Sequence, residues 1–91
     1  MNINNFSATW ETNPIVQWFR LQNFEKETRL DEKELAQKLD INPIRLNHGF
    51  NYLWSTDELL YDKKGWYVGE GKVKYVKNEG WYLKGKLIRK I

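Results

Sequence analysis

The chain has 91 residues, with fifteen Lys and Arg against twelve Asp and Glu, so its formal net charge is +3. This length predicts one small domain, and the five Trp, five Tyr and four Phe would supply much of its core. The chain has no cysteine, which excludes disulfides and thiolate metal sites and fits a cytoplasmic protein. No secretory signal and no apolar run long enough to cross a bilayer are present, so we expect no membrane association.

The positive charge is concentrated in the C-terminal third of the chain. Residues 1–61 contain six Lys or Arg and nine Asp or Glu, whereas residues 62–91 contain nine Lys or Arg and three Asp or Glu. The first segment therefore carries a net charge of −3 and the second a net charge of +6. This division predicts that the C-terminal segment attracts an acidic partner.

Three capping signals mark the starts of helices. Asn13 and Asn42 each precede a proline, which favours the first helical position because its missing N–H costs nothing there. Asp31 begins a capping box. Together with the spacing of the apolar residues, these signals predict helices over about residues 14–23, 31–39 and 43–54. A further Ser-x-x-Glu box at residues 55–58 predicts a short fourth helix that ends near Tyr61.

The C-terminal third has the alternating pattern of β-strands. Gly65-Trp66-Tyr67 recurs as Gly80-Trp81-Tyr82, and a turn over residues 77–80 separates two β-rich runs. These runs cover residues 66–76 and 81–90, and glycines interrupt both of them. The pattern predicts either a two-stranded ribbon or a meander of three or four shorter strands. Thr28–Leu30 predicts one further, brief strand among the helices, so the expected fold class is α+β.

Residues 31–54 have the spacing of a helix-turn-helix. Ala36 lies where the two helices would cross, and its small side chain would let them approach. Asp40 occupies a turn position that often needs a positive φ, which Asp tolerates better than most residues. The apolar positions expected around the crossing are Leu35, Leu39, Ile41 and Leu46.

Residues 35–61 resemble the second helix-turn-helix of AraC-type transcription regulators. The positions that carry this resemblance are Asn42, Leu46, His48, Phe50, Ser55 and Tyr61. His48 stands where that family has Arg, and Ser55 where it has Gly. The resemblance implies that Ile44, Arg45, Asn47 and His48 contact bases or phosphates. The order helix, strand, helix, turn, helix, hairpin is also similar to a winged helix, in which the third helix enters the major groove and the hairpin contacts the DNA backbone or the minor groove.

Two sets of side chains are therefore candidates for nucleic-acid binding. Arg45, Asn47, His48 and Asn51 could donate hydrogen bonds to base edges, and Ile44 would lie beside them. Lysines of the β-rich segment would contact phosphates, which usually dominate affinity. This set consists of Lys72, Lys74, Lys77, Lys84 and Lys86. The alternative is that these lysines form an ordinary solvated sheet face and protect edge strands from aggregation.

The sequence favours a small, non-enzymatic regulator of transcription that binds duplex DNA, such as a phage or accessory protein. A single histidine, with no cysteine and no phosphate-binding loop, predicts no catalytic residues, no metal and no cofactor. A homodimer would gain specificity by reading two half-sites. The alternative function is a protein-interaction module that binds, for example, a host protein. That hypothesis predicts an exposed aromatic patch at Trp10, Trp54 or Trp66.

Overall fold

Short helices and strands share the first two thirds of the chain, and strands dominate the rest. The computed structural model describes residues 12–71 and 73–91. From Asn13 onward these residues form three helices and six strands, which confirms the α+β class. The helices are α1 (Pro14–Leu21), α2 (Glu32–Leu39) and α3 (Pro43–Ser55). The strands are β1 (Thr28–Leu30), β2 (Leu60–Asp62), β3 (Gly65–Val68), β4 (Lys74–Val76), β5 (Gly80–Leu83) and β6 (Lys86–Lys90).

The three helices begin where their capping residues predict. The side-chain oxygens of Asn13, Asp31 and Asn42 each accept backbone N–H groups of the first helical turn. These bonds satisfy donors that a helix N-terminus otherwise leaves unpaired. Helix α1 ends at Leu21 rather than near residue 23, because the chain becomes extended at Gln22.

A short turn over residues 40–42 connects α2 to α3. Asp40 has a φ of 53°, in the left-handed region, and ends α2. The N–H of Ile41 then donates to the carbonyl of Ala36 over 3.0 Å, which closes the turn. Ala36 is buried, as its predicted place at the crossing requires. An aspartate thus takes the place that glycine often has.

The predicted fourth helix is absent from the described residues. Ser55 is the last residue of α3, and Asp57 adopts a φ of 65°. The N–H of Glu58 donates to the carbonyl of Leu53 over 3.0 Å, as in a Schellman motif at a helix C-terminus. The Ser-x-x-Glu signal was therefore misread: its residues end one helix instead of starting another. Strand β2 begins at Leu60, where the sequence predicted helix.

The first sheet has the order β1-β3-β2, with all neighbours antiparallel. Trp66 of β3 pairs with Leu30 on one side and with Tyr61 on the other. Its ring packs against Phe50 of α3, with centroids 5.4 Å apart. The brief strand predicted at Thr28–Leu30 is confirmed, and it makes the first sheet three-stranded.

The second sheet has the order β4-β5-β6, again antiparallel. Gly80 has a φ of 141°, and a Cβ at this position would overlap the carbonyl oxygen of Arg89 on β6. The predicted antiparallel meander is confirmed for residues 74–90, where β4, β5 and β6 follow one another, but the run 66–76 is divided between two sheets. The break includes Gly69 and Gly71, which the sequence analysis had identified as interruptions.

The core lies between the helices and the inner face of the first sheet. Leu46, Phe50 and Leu53 of α3 are fully buried, as the helical spacing predicts. Helices α1 and α3 approach closely at Gly49, where a Cβ would overlap Ile15. Among residues 12–71 and 73–91, the helices are too short and too polar to span a bilayer.

Candidate nucleic-acid interface

Helix α3 presents an exposed outer stripe. Ile44, His48 and Asn51 lie on the side opposite the buried residues, and all three are exposed. Arg45 is also exposed and lies on one flank of this stripe. The thirteen residues of α3 include no Asp or Glu. The stripe therefore combines hydrogen-bonding groups, one cation and an apolar side chain without a carboxylate on the same helix.

Asn47 is occupied by contacts within the protein. Its Nδ2 donates to Oε2 of Glu32 on α2 over 3.0 Å. Its Oδ1 and its backbone carbonyl both accept from Nδ2 of Asn51, over 3.0 and 2.9 Å. Asn47 is thus a link between α2 and α3, whereas the sequence analysis placed it among the residues that contact bases or phosphates.

An aromatic groove lies between α3 and the β2–β3 hairpin. It has a volume of about 380 Å³ and is lined by Glu32, Asn47, Asn51, Trp54, Tyr61 and Trp66. Trp54 is 54% exposed and Tyr61 is 60% exposed. The Tyr61 and Trp66 rings meet edge to face, with centroids 4.8 Å apart. Sequence patterns did not predict this groove, because they placed Tyr61 in a helix and because Glu32 and Trp66 are 34 residues apart in the chain.

The tryptophan of each Gly-Trp-Tyr repeat donates a hydrogen bond to a glutamate from an earlier part of the chain. We call the contact of Trp66 with Glu32 the first-sheet junction and the contact of Trp81 with Glu58 the second-sheet junction. In the first-sheet junction, Trp66 Nε1 donates to Oε1 of Glu32 over 2.6 Å. In the second-sheet junction, Trp81 Nε1 donates to Oε1 of Glu58. The repeat thus has a common structural role: its tryptophan connects a sheet to a carboxylate 34 residues earlier in one case and 23 residues earlier in the other.

The second-sheet junction also contains an arginine. Arg20 of α1 donates from Nε and Nη2 to the two oxygens of Glu58, over 3.1 and 2.8 Å. Its guanidinium lies 3.6 Å from the centre of the Tyr75 ring. The Glu58 side chain is only 2% exposed, and Thr56 donates a further hydrogen bond to it. Burial alone would lower the pKa of Arg20, but the hydrogen bond and the charge of Glu58 outweigh burial and raise it.

The two sheets flank α3 on different sides. Trp54 lines the aromatic groove with residues of the first sheet, whereas Tyr52 faces the Arg20 guanidinium, 5.6 Å away. Residues two apart in a helix point about 160° away from each other. Arg45 and Tyr52 are seven residues apart, so Arg45 lies on the flank of the second sheet.

The lysines predicted to contact phosphate belong to the second sheet and its turns. Lys74, Lys77, Lys84 and Lys86 are all exposed. Lys72 lies outside the described residues. Arg89 and Lys90 of β6 are exposed as well, so the second sheet is strongly basic. The exposure of these lysines fits both predicted roles, a contact with phosphate and a solvated sheet face.

An ion pair crosses the outer face of the first sheet. Arg29 of β1 donates to both oxygens of Asp62 on β2, over 2.6 and 2.7 Å. The Asp62 carboxylate also accepts the backbone N–H of Lys64 over 2.9 Å. The hydrogen bond from Arg29 is the main reason that the pKa of Asp62 falls to about 2. The pair therefore braces the β2–β3 turn, which carries Lys63 and Lys64.

Comparison with known proteins identifies no relative: no family model, curated sequence or solved structure matches the chain. Within the described residues, no group of His, Asp or Glu is placed to hold a metal ion. The features that bear on function are therefore the outer face of α3, the aromatic groove and the two sheets.

Proposed function

We propose that this protein is a winged-helix-like, non-enzymatic regulator that binds duplex DNA. The element order α1-β1-α2-α3-β2-β3 and the sheet order β1-β3-β2 support this proposal. In such an arrangement α3 is the helix that enters the major groove. The β2–β3 hairpin is then the wing, rather than the whole basic segment of residues 63–90.

The observation that carries the proposal is the open, carboxylate-free outer face of α3. Arg45 can form a bidentate contact with guanine; the exposed His48 lies one turn further along α3, and the exposed Asn51 lies on the outer stripe. Asn47 takes a supporting role here, since it holds Asn51 and Glu32. Ile44 is 68% exposed and offers an apolar contact such as a thymine methyl group requires.

Cations on both flanks of α3 would supply the phosphate contacts. Lys63 and Lys64 at the β2–β3 turn lie on the wing side. The second sheet lies on the Arg45 side and contributes Lys74, Lys77, Lys84 and Lys86. Because phosphate contacts dominate affinity, these residues would set the strength of binding, while α3 would set its sequence preference.

The test is binding of fluorescently labelled, random-sequence duplex DNA at several salt concentrations. We expect micromolar or tighter binding at low salt, and the logarithm of affinity should fall by about 0.9 per phosphate contact for each tenfold rise in salt. Replacing Lys63 and Lys64 with Gln should reduce this slope by about two contacts if both touch phosphate. The matched control replaces Lys33 and Lys38 with Gln, which removes the same charge from α2 instead of from the β2–β3 turn. No binding at low salt, or an equal change in slope for both double variants, would contradict the proposal.

A protein-interaction module is the second candidate function. The exposure of Trp54 and Tyr61 on one groove favours it, since monomers rarely expose neighbouring large aromatic residues without a role. Trp66, also suggested from the sequence, is 9% exposed and lies in the groove wall, and Trp10 lies outside the described residues. Replacing Trp54 with Ala distinguishes the two candidate functions. If the groove binds a partner protein, the variant should lose that binding. The salt dependence of the affinity for DNA should stay unchanged.

A further inference from the structure

The two junctions use the same donor and acceptor but differ in one component. Each has a tryptophan indole N–H bonded to a glutamate, and each has further aromatic rings nearby. In the second-sheet junction, an arginine lies between the carboxylate and the rings. Glu58 accepts hydrogen bonds from Nε and Nη2 of Arg20, and the Tyr75 ring lies against the guanidinium. This junction shows what chemistry completes such a site.

Glu32 in the first-sheet junction has neutral partners only. Its two oxygens accept from Trp66 Nε1 and from Asn47 Nδ2. Within residues 12–71 and 73–91, no lysine or arginine forms an ion pair with it. Outside the described residues, the only lysine or arginine of the sequence is Lys72. The half-buried Glu32 therefore brings a negative charge to the aromatic groove that no described cation balances.

The walls of the aromatic groove suit a cation as well. Trp54 and Tyr61 expose much of their rings, whose faces carry negative potential. Nδ2 of Asn51 donates within the protein, to Oδ1 and the backbone carbonyl of Asn47, so the Asn51 side chain can turn its Oδ1 acceptor to a ligand. A planar guanidinium can stack on an aromatic ring and still donate in its own plane to a carboxylate. An ammonium lacks that combination.

We propose that the aromatic groove binds an arginine side chain presented by a partner protein. The guanidinium would donate to Glu32 and stack on Trp54 or Tyr61, as Arg20 does with Glu58 and Tyr75. The carboxylate of Glu32 in the groove lining would attract a cationic side chain. The proposal rests on the groove itself and not on the proposed DNA binding, although Asn51 and the β2–β3 hairpin belong to both surfaces.

The test is an NMR titration of the full chain with the peptide acetyl-Gly-Arg-Gly-amide. The indole N–H signals of Trp54 and Trp66 report directly on the groove, and the variants Trp54→Phe and Trp66→Phe assign them. We expect saturable shifts of both signals with a dissociation constant of about 1 mM, because one side chain makes few contacts. The same peptide with citrulline in place of arginine, which has the same shape without charge, should bind at least about tenfold more weakly.

Two variants in the same helical turn separate a site from a general charge effect. Glu32→Gln keeps an acceptor for Trp66 but removes the charge, and should weaken binding of the arginine peptide about tenfold or more. Glu34→Gln removes the same charge from an exposed neighbour and should leave binding unchanged. Equal affinities for these two variants, or equal binding of the citrulline peptide, would overturn the proposal. It would also be overturned if mononucleotides, but not the arginine peptide, shifted the Trp54 and Trp66 signals.

Discussion

The two sheets are attached to the helices by the same short motif, yet one attachment is complete and the other is open. Trp81 and Glu58 enclose Arg20, and the Glu58 side chain is almost fully buried. Trp66 and Glu32 leave a groove in which Trp54 and Tyr61 are exposed. A single additional cation therefore distinguishes a structural contact from a candidate binding site. The hydrogen bond from tryptophan to glutamate is thus common to both junctions, whereas the arginine is found at the second and the open groove at the first.

The largest difference between the junctions should appear in stability. Glu58→Gln would leave the buried guanidinium of Arg20 without its counter-charge, and we expect it to lower the free energy of unfolding by about 3–5 kcal/mol. Glu32→Gln should lower the free energy of unfolding by less than about 1 kcal/mol. No described cation forms an ion pair with Glu32, and the new amide can still accept a hydrogen bond from Trp66. Urea denaturation measures both values. Equal losses would show that the two junctions do not differ in the way described.

The glycines of the two repeats provide a smaller contrast. Gly65 and Gly80 both have positive φ, at 112° and 141°. A Cβ on Gly65 would meet open space, whereas one on Gly80 would overlap the backbone of Arg89. Gly80→Ala should therefore cost about 1–3 kcal/mol more than Gly65→Ala, since both variants have backbone strain but only one has a clash. Thermal unfolding of the two variants measures this difference, and amide hydrogen exchange should place the added loss in β6. Faster exchange in the first sheet instead would contradict it.

The smallest expected effect concerns the ion pair between Arg29 and Asp62 in the first sheet at low pH. The low pKa of Asp62, about 2, means that the ion pair with Arg29 contributes stability above the carboxyl's ordinary pKa, about 4, and that this contribution is lost as pH falls through about 2. Arg29→Gln should raise the pKa of Asp62 toward its ordinary value, which an NMR pH titration of the side-chain carboxyl carbon can follow. An unaltered pKa of Asp62 in the variant would show that Arg29 is not the cause.

Local signals in the sequence predicted the helices well. The capping side chains of Asn13, Asp31 and Asn42 accept from backbone N–H groups within the next three residues. Each of these hydrogen bonds could therefore be predicted from a few consecutive residues. The same reasoning holds for the left-handed Asp40. It failed at Ser55, because serine and glutamate three residues apart can start a helix or, as here, follow the end of one.

The parts of the structure that the sequence did not predict depend on distant contacts. Whether the run 66–76 forms one strand or two depends on which neighbours pair with it, and β3 pairs with β1, far earlier in the chain. The roles of Glu32 and Glu58 also depend on tryptophans more than twenty residues away. The Gly-Trp-Tyr repeat was visible in the sequence, but nothing in it indicated that its tryptophans would bind carboxylates.

The most direct test of the proposed function is a map of backbone amide shifts on adding a random-sequence DNA duplex to the ¹⁵N-labelled chain at low salt. We expect the largest shifts at the exposed residues of α3, from Ile44 to Asn51, and at Lys63 and Lys64 of the β2–β3 turn. Smaller shifts should follow the exposed lysines of the second sheet. Shifts confined to the second sheet, or none at all, would contradict the claim that α3 reads DNA.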